Sequence, residues 1–290
     1  MSEQRKLTIS DIARMKGEGR KIVVVTAYDY PFASIADKAG IDIILVGDSG
    51  GMVSLGYENT IPVSMDEMLM MSKSVARAAK SSLLVGDMPF MSFQISREDA
   101  VRNAGRFVKE GGMDAVKIEG GREFSNTVRA ITKAGIPIMG HVGLTPQTAT
   151  LWQGYRVQGK DARSARKLIE DAQELESAGA FAMVLEMVPE EVAQMITDKL
   201  AVPTIGIGAG KRCDGQVLVL HDILGLYDKF TPKFAKRYAN LGRAASEALA
   251  SYRDDILNGR FPAQENSFKM DAKQLERLKA SLSKLAETEV

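Results

Sequence analysis

Short apolar runs alternate with amphipathic stretches along most of the chain, and this rhythm constrains the fold more than any other feature. The apolar runs cover residues 22–27, 43–46, 83–85, 115–119, 137–141, 181–185, 203–207 and 217–220. Helical periodicity is expected over 31–39, 66–80, 97–111, 124–134, 162–178, 189–200 and 234–258, with loops over 50–62 and through Gln147, Trp152, Tyr155 and Gln158. Runs apolar on both faces suit buried parallel strands, and strand–helix alternation argues for a parallel sheet. Eight such units in 290 residues favour a closed α/β barrel, the (β/α)8 TIM barrel, over an open doubly wound sheet. No Gly-x-Gly-x-x-Gly turn follows the first run, which argues against a dinucleotide-binding fold. The expected organisation is one catalytic barrel over 1–268, opened by a short helix over 8–16 with Ser10 as candidate N-cap, and a helical tail over 269–290. In that tail Leu275, Leu278, Leu282 and Leu285 form an apolar stripe suited to docking on the barrel or on a neighbouring subunit.

A net charge of +1 provides no field to attract nucleic acid or an anionic membrane. The single cysteine, Cys213, excludes an intramolecular disulfide framework and a multi-cysteine zinc site. No apolar run approaches the roughly 18 residues of a membrane span. The opening residues Met1 to Leu7 lack the apolar stretch of a signal peptide, so the expected location is the cytoplasm. The 15 methionines are scattered and read as core filler.

In such a barrel the active site lies at the C-terminal ends of the strands. The second run ends at Asp48, the third at Asp87, the fourth at Lys117 and Glu119, the fifth at His141 and the sixth at Glu186. Lys117 and Glu119 are two apart and share one face of a strand. Alone, they read equally well as a structural ion pair. Four carboxylates on one rim repel each other unless a cation or raised pKa values relieve them. Asp48, Asp87 and Glu119 offer only oxygen ligands, which suits a hard ion such as Mg²⁺, with Mn²⁺ also compatible. Lys117 suits an anionic substrate group; the rival role, a Schiff-base amine, is disfavoured by the acids around it. Glu186, away from the other acids, is placed to act as a general base, or else to cap the helix that follows at Pro189.

Two motifs invite other readings. Gly47-Asp-Ser-Gly-Gly51 resembles the nucleophile motif of chymotrypsin-like proteases in its letters. Both histidines, His141 and His221, lie downstream of Ser49, Met52 stands where that motif has Pro, and the alternating pattern is wrong for an all-β fold. The Ser49 hydroxyl remains suited to hydrogen-bonding a substrate carboxylate. Gly206, Gly208 and Gly210 suit either a phosphate cradle or a tight turn.

Taken together, these residues resemble the ketopantoate hydroxymethyltransferase family. The matching segments are Thr26-Ala-Tyr-Asp29, Val46-Gly-Asp-Ser49, Asp87-Met-Pro-Phe90, Val116-Lys-Ile-Glu-Gly-Gly121, Gly140-His-Val-Gly-Leu-Thr-Pro-Gln147, Val157-Gln-Gly159, Leu185-Glu186, Ile205-Gly-Ile-Gly-Ala-Gly210, Asp214-Gly-Gln216, His221-Asp222 and Pro232-Lys-Phe-Ala235. They cover about residues 8 to 268 in the family's order. The resemblance implies a Mg²⁺-dependent barrel that transfers a hydroxymethyl group from the co-substrate 5,10-methylenetetrahydrofolate to 3-methyl-2-oxobutanoate. The product is 2-dehydropantoate (ketopantoate), in pantothenate biosynthesis, and the route is a metal-stabilised enolate. It implies Asp48, Asp87 and Glu119 at the metal, Asp48, Ser49, Asp87 and Lys117 at the 2-oxoacid, and Glu186 as the proton acceptor. It also implies a homo-oligomer, a decamer in size. Two departures fall in the loop after the second run: Gly50 replaces a larger residue, often Leu, and Tyr57 replaces a His in Gly56-Tyr57-Glu58. Other readings are a related metal-dependent C–C lyase or mutase on a 2-oxoacid, and a non-catalytic barrel serving as an assembly subunit.

Overall fold

In the computed structural model, eight strands close into a parallel barrel in sequence order, β1 (Ile22–Thr26), β2 (Ile43–Val46), β3 (Leu83–Asp87), β4 (Ala115–Glu119), β5 (Ile138–Gly143), β6 (Ala180–Glu186), β7 (Thr204–Ile207) and β8 (Gly215–Leu218). The structure describes residues 5–148 and 156–287, with side chains to residue 283. Trp152, Tyr155 and the side chain of Leu285 lie outside the described residues. Pairing of Ile22 with Gly215 and of Val24 with Val217 joins β8 to β1 and closes the (β/α)8 barrel.

The helices are α1 (Ile9–Gly17), α2 (Tyr30–Lys38), α3 (Gly50–Val53), α4 (Met65–Ala78), α5 (Arg97–Lys109), α6 (Ser125–Lys133), α7 (Ala162–Ser177), α8 (Glu190–Lys199) and α9 (Leu220–Leu224), with α10 (Leu241–Leu257) and α11 (Ala272–Glu287) beyond. The chain divides into two compact units, Met1–Ala239 with the barrel and Asn240–Val290 with α10 and α11. On α11, Leu275, Leu278 and Leu282 are exposed.

Strand alternation sorts side chains into two layers. Ile22, Val24, Ile43, Leu45, Leu83, Val85, Met139, Val184, Ile205 and Val217 form an inner cluster, joined by Ile12 and Met15 of α1. Ile44, Val46, Leu84, Val116, Ile118, Met183 and Leu185 belong to the outer cluster with α4, α5 and α7 side chains such as Met68, Phe107 and Leu175. The inner layer is apolar through the lower and middle barrel and becomes charged only at the C-terminal rim, where Asp87, Lys117, Glu119 and His141 are buried.

Several boundaries differ from the pattern in the sequence. Thr8, not Ser10, caps α1, because its side chain accepts the Asp11 N–H while the Asp11 carboxylate accepts the Thr8 N–H. The loop over 50–62 contains the short helix α3. A 3-10 turn over Arg122–Phe124 precedes α6. The last apolar run splits at Val219, with Leu220 already in α9. The helix expected from 234 begins at Leu241, where the Asn240 side chain accepts the Arg243 N–H.

Carboxylates also tie the N-terminal end of the barrel together. Asp42 accepts the Val23 N–H, Asp114 the Leu84 N–H and Asp214 the Thr204 N–H, and each is paired with a basic side chain, Arg20, Lys6 and Lys16 respectively. Asp37, at the end of α2, accepts the N–H groups of Lys80, Ser81 and Ser82 just ahead of β3. Burial pushes its pKa up, but those donors outweigh burial and hold it below the usual carboxylate range. Removing the acceptor strands buried donors, so Asp37→Ala is expected to cost about 2–4 kcal/mol in urea unfolding near neutrality. A depressed folded-state pKa stabilises the fold above the unfolded value and loses that effect as pH falls through the folded one. The gap between wild type and variant should therefore shrink in acid.

Candidate active site

Parallel register brings the charged strand ends together. Asp87 pairs with Lys117, Glu119 with His141, and Gly143 with Glu186. Lys117 Nζ lies 2.7 and 2.8 Å from the two oxygens of Asp87 and 3.2 Å from Glu119 Oε1. Asp48, just past β2, donates its N–H to Asp87 Oδ2 at 3.4 Å. Gln147 folds back from the loop after β5. Its Nε2 donates to Asp48 Oδ2 and to the Met88 carbonyl, both at 2.9 Å, and its N–H to Glu119 Oε2 at 3.1 Å. His141 stands between two acids, Nδ1 3.4 Å from Glu119 Oε1 and Nε2 3.3 Å from Glu186 Oε2, although neither contact has hydrogen-bond geometry.

Burial sets the electrostatics. It raises the Asp48 pKa well above the usual range, and the Asp87 and Glu119 charges add to the rise. Asp87 is likewise raised, chiefly by burial, with Lys117 opposing. At Glu119 burial acts upward, but Lys117 and His141 outweigh it and bring the pKa to about 2. Burial alone would lower Lys117, yet Asp87, Glu119 and Asp48 drive its pKa above the usual lysine value. Burial and Lys117 lower His141, while Glu119 and Glu186 more than compensate and raise it to about 9.

The ionised cluster therefore has an excess of negative charge that the protein does not neutralise, and Asp48 carries the strain. Asp48, Asp87 and Glu119 each offer a carboxylate oxygen within 4.8 Å of the others, and all three are buried. An all-oxygen, acid-rich set with an unrelieved charge fits a hard divalent ion. The charged Lys117 is unsuited to Schiff-base chemistry, which needs a neutral amine.

The remaining side chains are also placed. Ser49 Oγ lies 2.9 Å from the Tyr28 hydroxyl, and its partner is thus not a histidine as in the protease arrangement. Pro189 is the N-cap residue of α8 and supplies no side-chain cap bond. The chain is tightly packed at Glu186. Gly143 has φ +104°, a Cβ there would fall 2.2 Å from the Glu186 carbonyl oxygen, and Met187 adopts φ +47°. Gly208 and Gly210 lie against Phe234 and Glu190, with Cβ positions 2.8 and 2.5 Å from those side chains, which favours close packing over an open phosphate cradle. A Cβ on Gly50 would meet Tyr28 Cδ1 at 2.6 Å and Met71 Sδ at 2.8 Å, so the first departure leaves room for the Tyr28 ring. Tyr57 donates to Glu67 and ties the loop to α4.

Gln147 and His141 occur in the sequence motifs, but no role follows from their spacing. Only the folded loop brings Gln147 to Asp48, 99 residues away. The His141 position at a strand end was the one available signal.

A closed parallel barrel with a buried acidic cluster at its C-terminal rim defines a TIM-barrel enzyme. Solved structures with this fold include phosphonopyruvate hydrolase in complex with oxalate and Mg++ (TM-score 0.59, 15% identity, 97% of this chain and 98% of that one). Another is phosphoenolpyruvate phosphomutase from Streptomyces platensis subsp. rosaceus (TM-score 0.58, 17% identity, 98% of each chain). The sequence model of ketopantoate hydroxymethyltransferase matches residues 6–264. The 3-methyl-2-oxobutanoate hydroxymethyltransferase of Nitrosopumilus maritimus is 54% identical over 275 residues, 95% of this chain and 98% of its own length. That of Moorella thermoacetica is 56% identical over 269 residues, 93% and 100% respectively. The chain belongs to the ketopantoate hydroxymethyltransferase family and is a transferase.

Lys117→Met leaves the buried acids without their cation and is expected to cost about 3–5 kcal/mol near neutrality. Carboxyls with raised folded-state pKa values favour the fold below the unfolded value and oppose it as pH rises. Unfolding followed across pH should show the loss growing with pH; a pH-independent difference would contradict the charge argument.

Proposed function

We propose that the chain transfers a hydroxymethyl group from 5,10-methylenetetrahydrofolate to 3-methyl-2-oxobutanoate, giving 2-dehydropantoate (ketopantoate) for pantothenate biosynthesis. The observation that carries this reading is the buried Asp48–Asp87–Glu119 group with Lys117 inside it and Glu186 two strands further round, in a chain of this family. Asp48, Asp87 and Glu119 would hold Mg²⁺, which when bound would supply Lewis acidity toward the 2-oxoacid.

The side chains divide the remaining work. Lys117 contributes fixed positive charge beside the carboxylate, and Ser49 donates a hydrogen bond to it, so that C3 faces Glu186. Asp48 and Asp87 line the same substrate position. Glu186 accepts the C3 proton, with His141 against its carboxylate. The resulting enolate carbon forms its new bond to the one-carbon unit as both C–N bonds of that unit break; water supplies the hydroxyl, and the two nitrogens of the departing tetrahydrofolate take the proton held by Glu186 and the remaining proton of the water. Assembly as a homo-oligomer, with a decamer as the implied size, belongs to the same proposal and is read by light scattering.

Ketopantoate formation should be lost on EDTA treatment and return with Mg²⁺. Glu186→Gln should lower kcat by about 10²–10⁴-fold, the usual contribution of a general base, with the binding of 3-methyl-2-oxobutanoate retained. Full turnover in EDTA, or an active Glu186→Gln variant, would overturn the reading. Asp48→Asn keeps the shape of the side chain and removes its charge. Mn²⁺ titration followed by electron paramagnetic resonance should show affinity at least about tenfold weaker than in wild type.

A further inference from the structure

The segment after β5 crosses the rim in one tight turn. Pro146, Gln147 and Thr148 adopt 3-10 geometry, and the Thr148 N–H donates to the Thr145 carbonyl at 3.0 Å. Pro146 has no N–H, and the N–H groups that open a helical turn have no partner within it. The Gln147 N–H is therefore available, and it goes to Glu119 Oε2 at 3.1 Å. Lys117 holds the other Glu119 oxygen at 3.2 Å, so that carboxylate is restrained at both ends. Just upstream, the Leu144 N–H donates to the Glu186 carbonyl at 2.8 Å and anchors the segment to β6.

Gln147 itself is 1% exposed. Its Nε2 carries two hydrogens, and both have acceptors, Asp48 Oδ2 and the Met88 carbonyl, each at 2.9 Å. Both partners can only accept, so the nitrogen end of the amide must face them. Other side chains of this length do not serve. Glutamate would set a further acid against Asp48, lysine would put a second ammonium where the cation's charge is needed, and methionine has no donor. Glutamine orients Asp48 and leaves the excess negative charge of the cluster intact. The amide oxygen, Oε1, is buried with no hydrogen-bond partner among the described residues. Such an orphan is unusual in a network that serves packing alone.

We propose that Gln147 is the positioning residue of the metal site: its side-chain amide holds Asp48 and its N–H holds Glu119, so that two of the three carboxylates stand in place before a cation arrives. This rests on the reading of Asp48, Asp87 and Glu119 as the Mg²⁺ site. Ligating carboxylates depend on such hydrogen-bond partners, whose loss typically weakens metal affinity by about 10–100-fold. The opposite relation is a placeholder, an amide that occupies the cation's position and must be displaced; its removal would tighten binding.

The test is Mn²⁺ titration of the full chain followed by electron paramagnetic resonance, with ketopantoate formation measured across a range of Mg²⁺ concentrations. Gln147→Met keeps the length of the side chain, removes its two donors and leaves the backbone N–H on Glu119. Its Mn²⁺ affinity should fall by at least about tenfold. Gln147 acts through Asp48 and touches no reacting atom, so raising Mg²⁺ should restore kcat to within about threefold of wild type. Thr148→Val removes the 2.6 Å contact between the Thr145 and Thr148 hydroxyls and loosens the same turn without reaching the acids. Its Mn²⁺ affinity should stay within about twofold of wild type. Mn²⁺ binding by Gln147→Met as tight as or tighter than wild type, a Thr148→Val loss as large as that of Gln147→Met, or a kcat that stays low at saturating Mg²⁺ would each overturn the inference. A wild-type chain that binds no Mn²⁺ would sink the metal reading itself, and this inference with it.

Discussion

Lys117 is the residue on which the rim of the barrel depends. It is held within hydrogen-bond distance of both Asp87 oxygens and of Glu119, and all three side chains are buried. Coulomb attraction is strong there because little water screens it, and for the same reason any unpaired charge is costly. One ammonium cannot balance all the surrounding carboxylates. The residual charge falls on Asp48, which the Lys117 charge and the neutral amide of Gln147 steady without offsetting burial and the neighbouring acids. The protein thus builds a strongly organised anionic site and leaves one part of its charge unbalanced at the position where a cation and an anionic substrate would meet.

Much of this was legible in the chain itself. The strand–helix rhythm is set by local periodicity, so the barrel and the strand ends carrying Asp48, Asp87, Lys117, Glu119 and Glu186 could be read directly. The two-residue spacing of Lys117 and Glu119 translated into a shared inward face because β4 is regular at that point. Of the two readings left open by that spacing, geometry shows the ion pair: Lys117 sits between Asp87 and Glu119, two acids of the group that could hold a metal.

What stayed hidden depends on contacts between distant segments. Gln147 reaches Asp48 and Met88 only because the loop after β5 turns back across the rim. The Tyr28 hydroxyl donates to Thr26 of β1 and meets Ser49 after β2, while Thr26 also accepts the Leu220 N–H at the start of α9, three places with no mutual signature in sequence. Helix ends failed for a more local reason. At α1 the capping-box geometry selected Thr8 over Ser10, two residues of similar chemistry separated by one turn position.

The two ends of the barrel use the same kind of side chain in opposite ways. Asp37, beneath the sheet, is saturated with donors and its carboxylate is held in the ionised form. Asp48, at the mouth, is buried among other acids and binds a proton readily. A proton on Asp48 and a cation held by its carboxylate would therefore exclude each other.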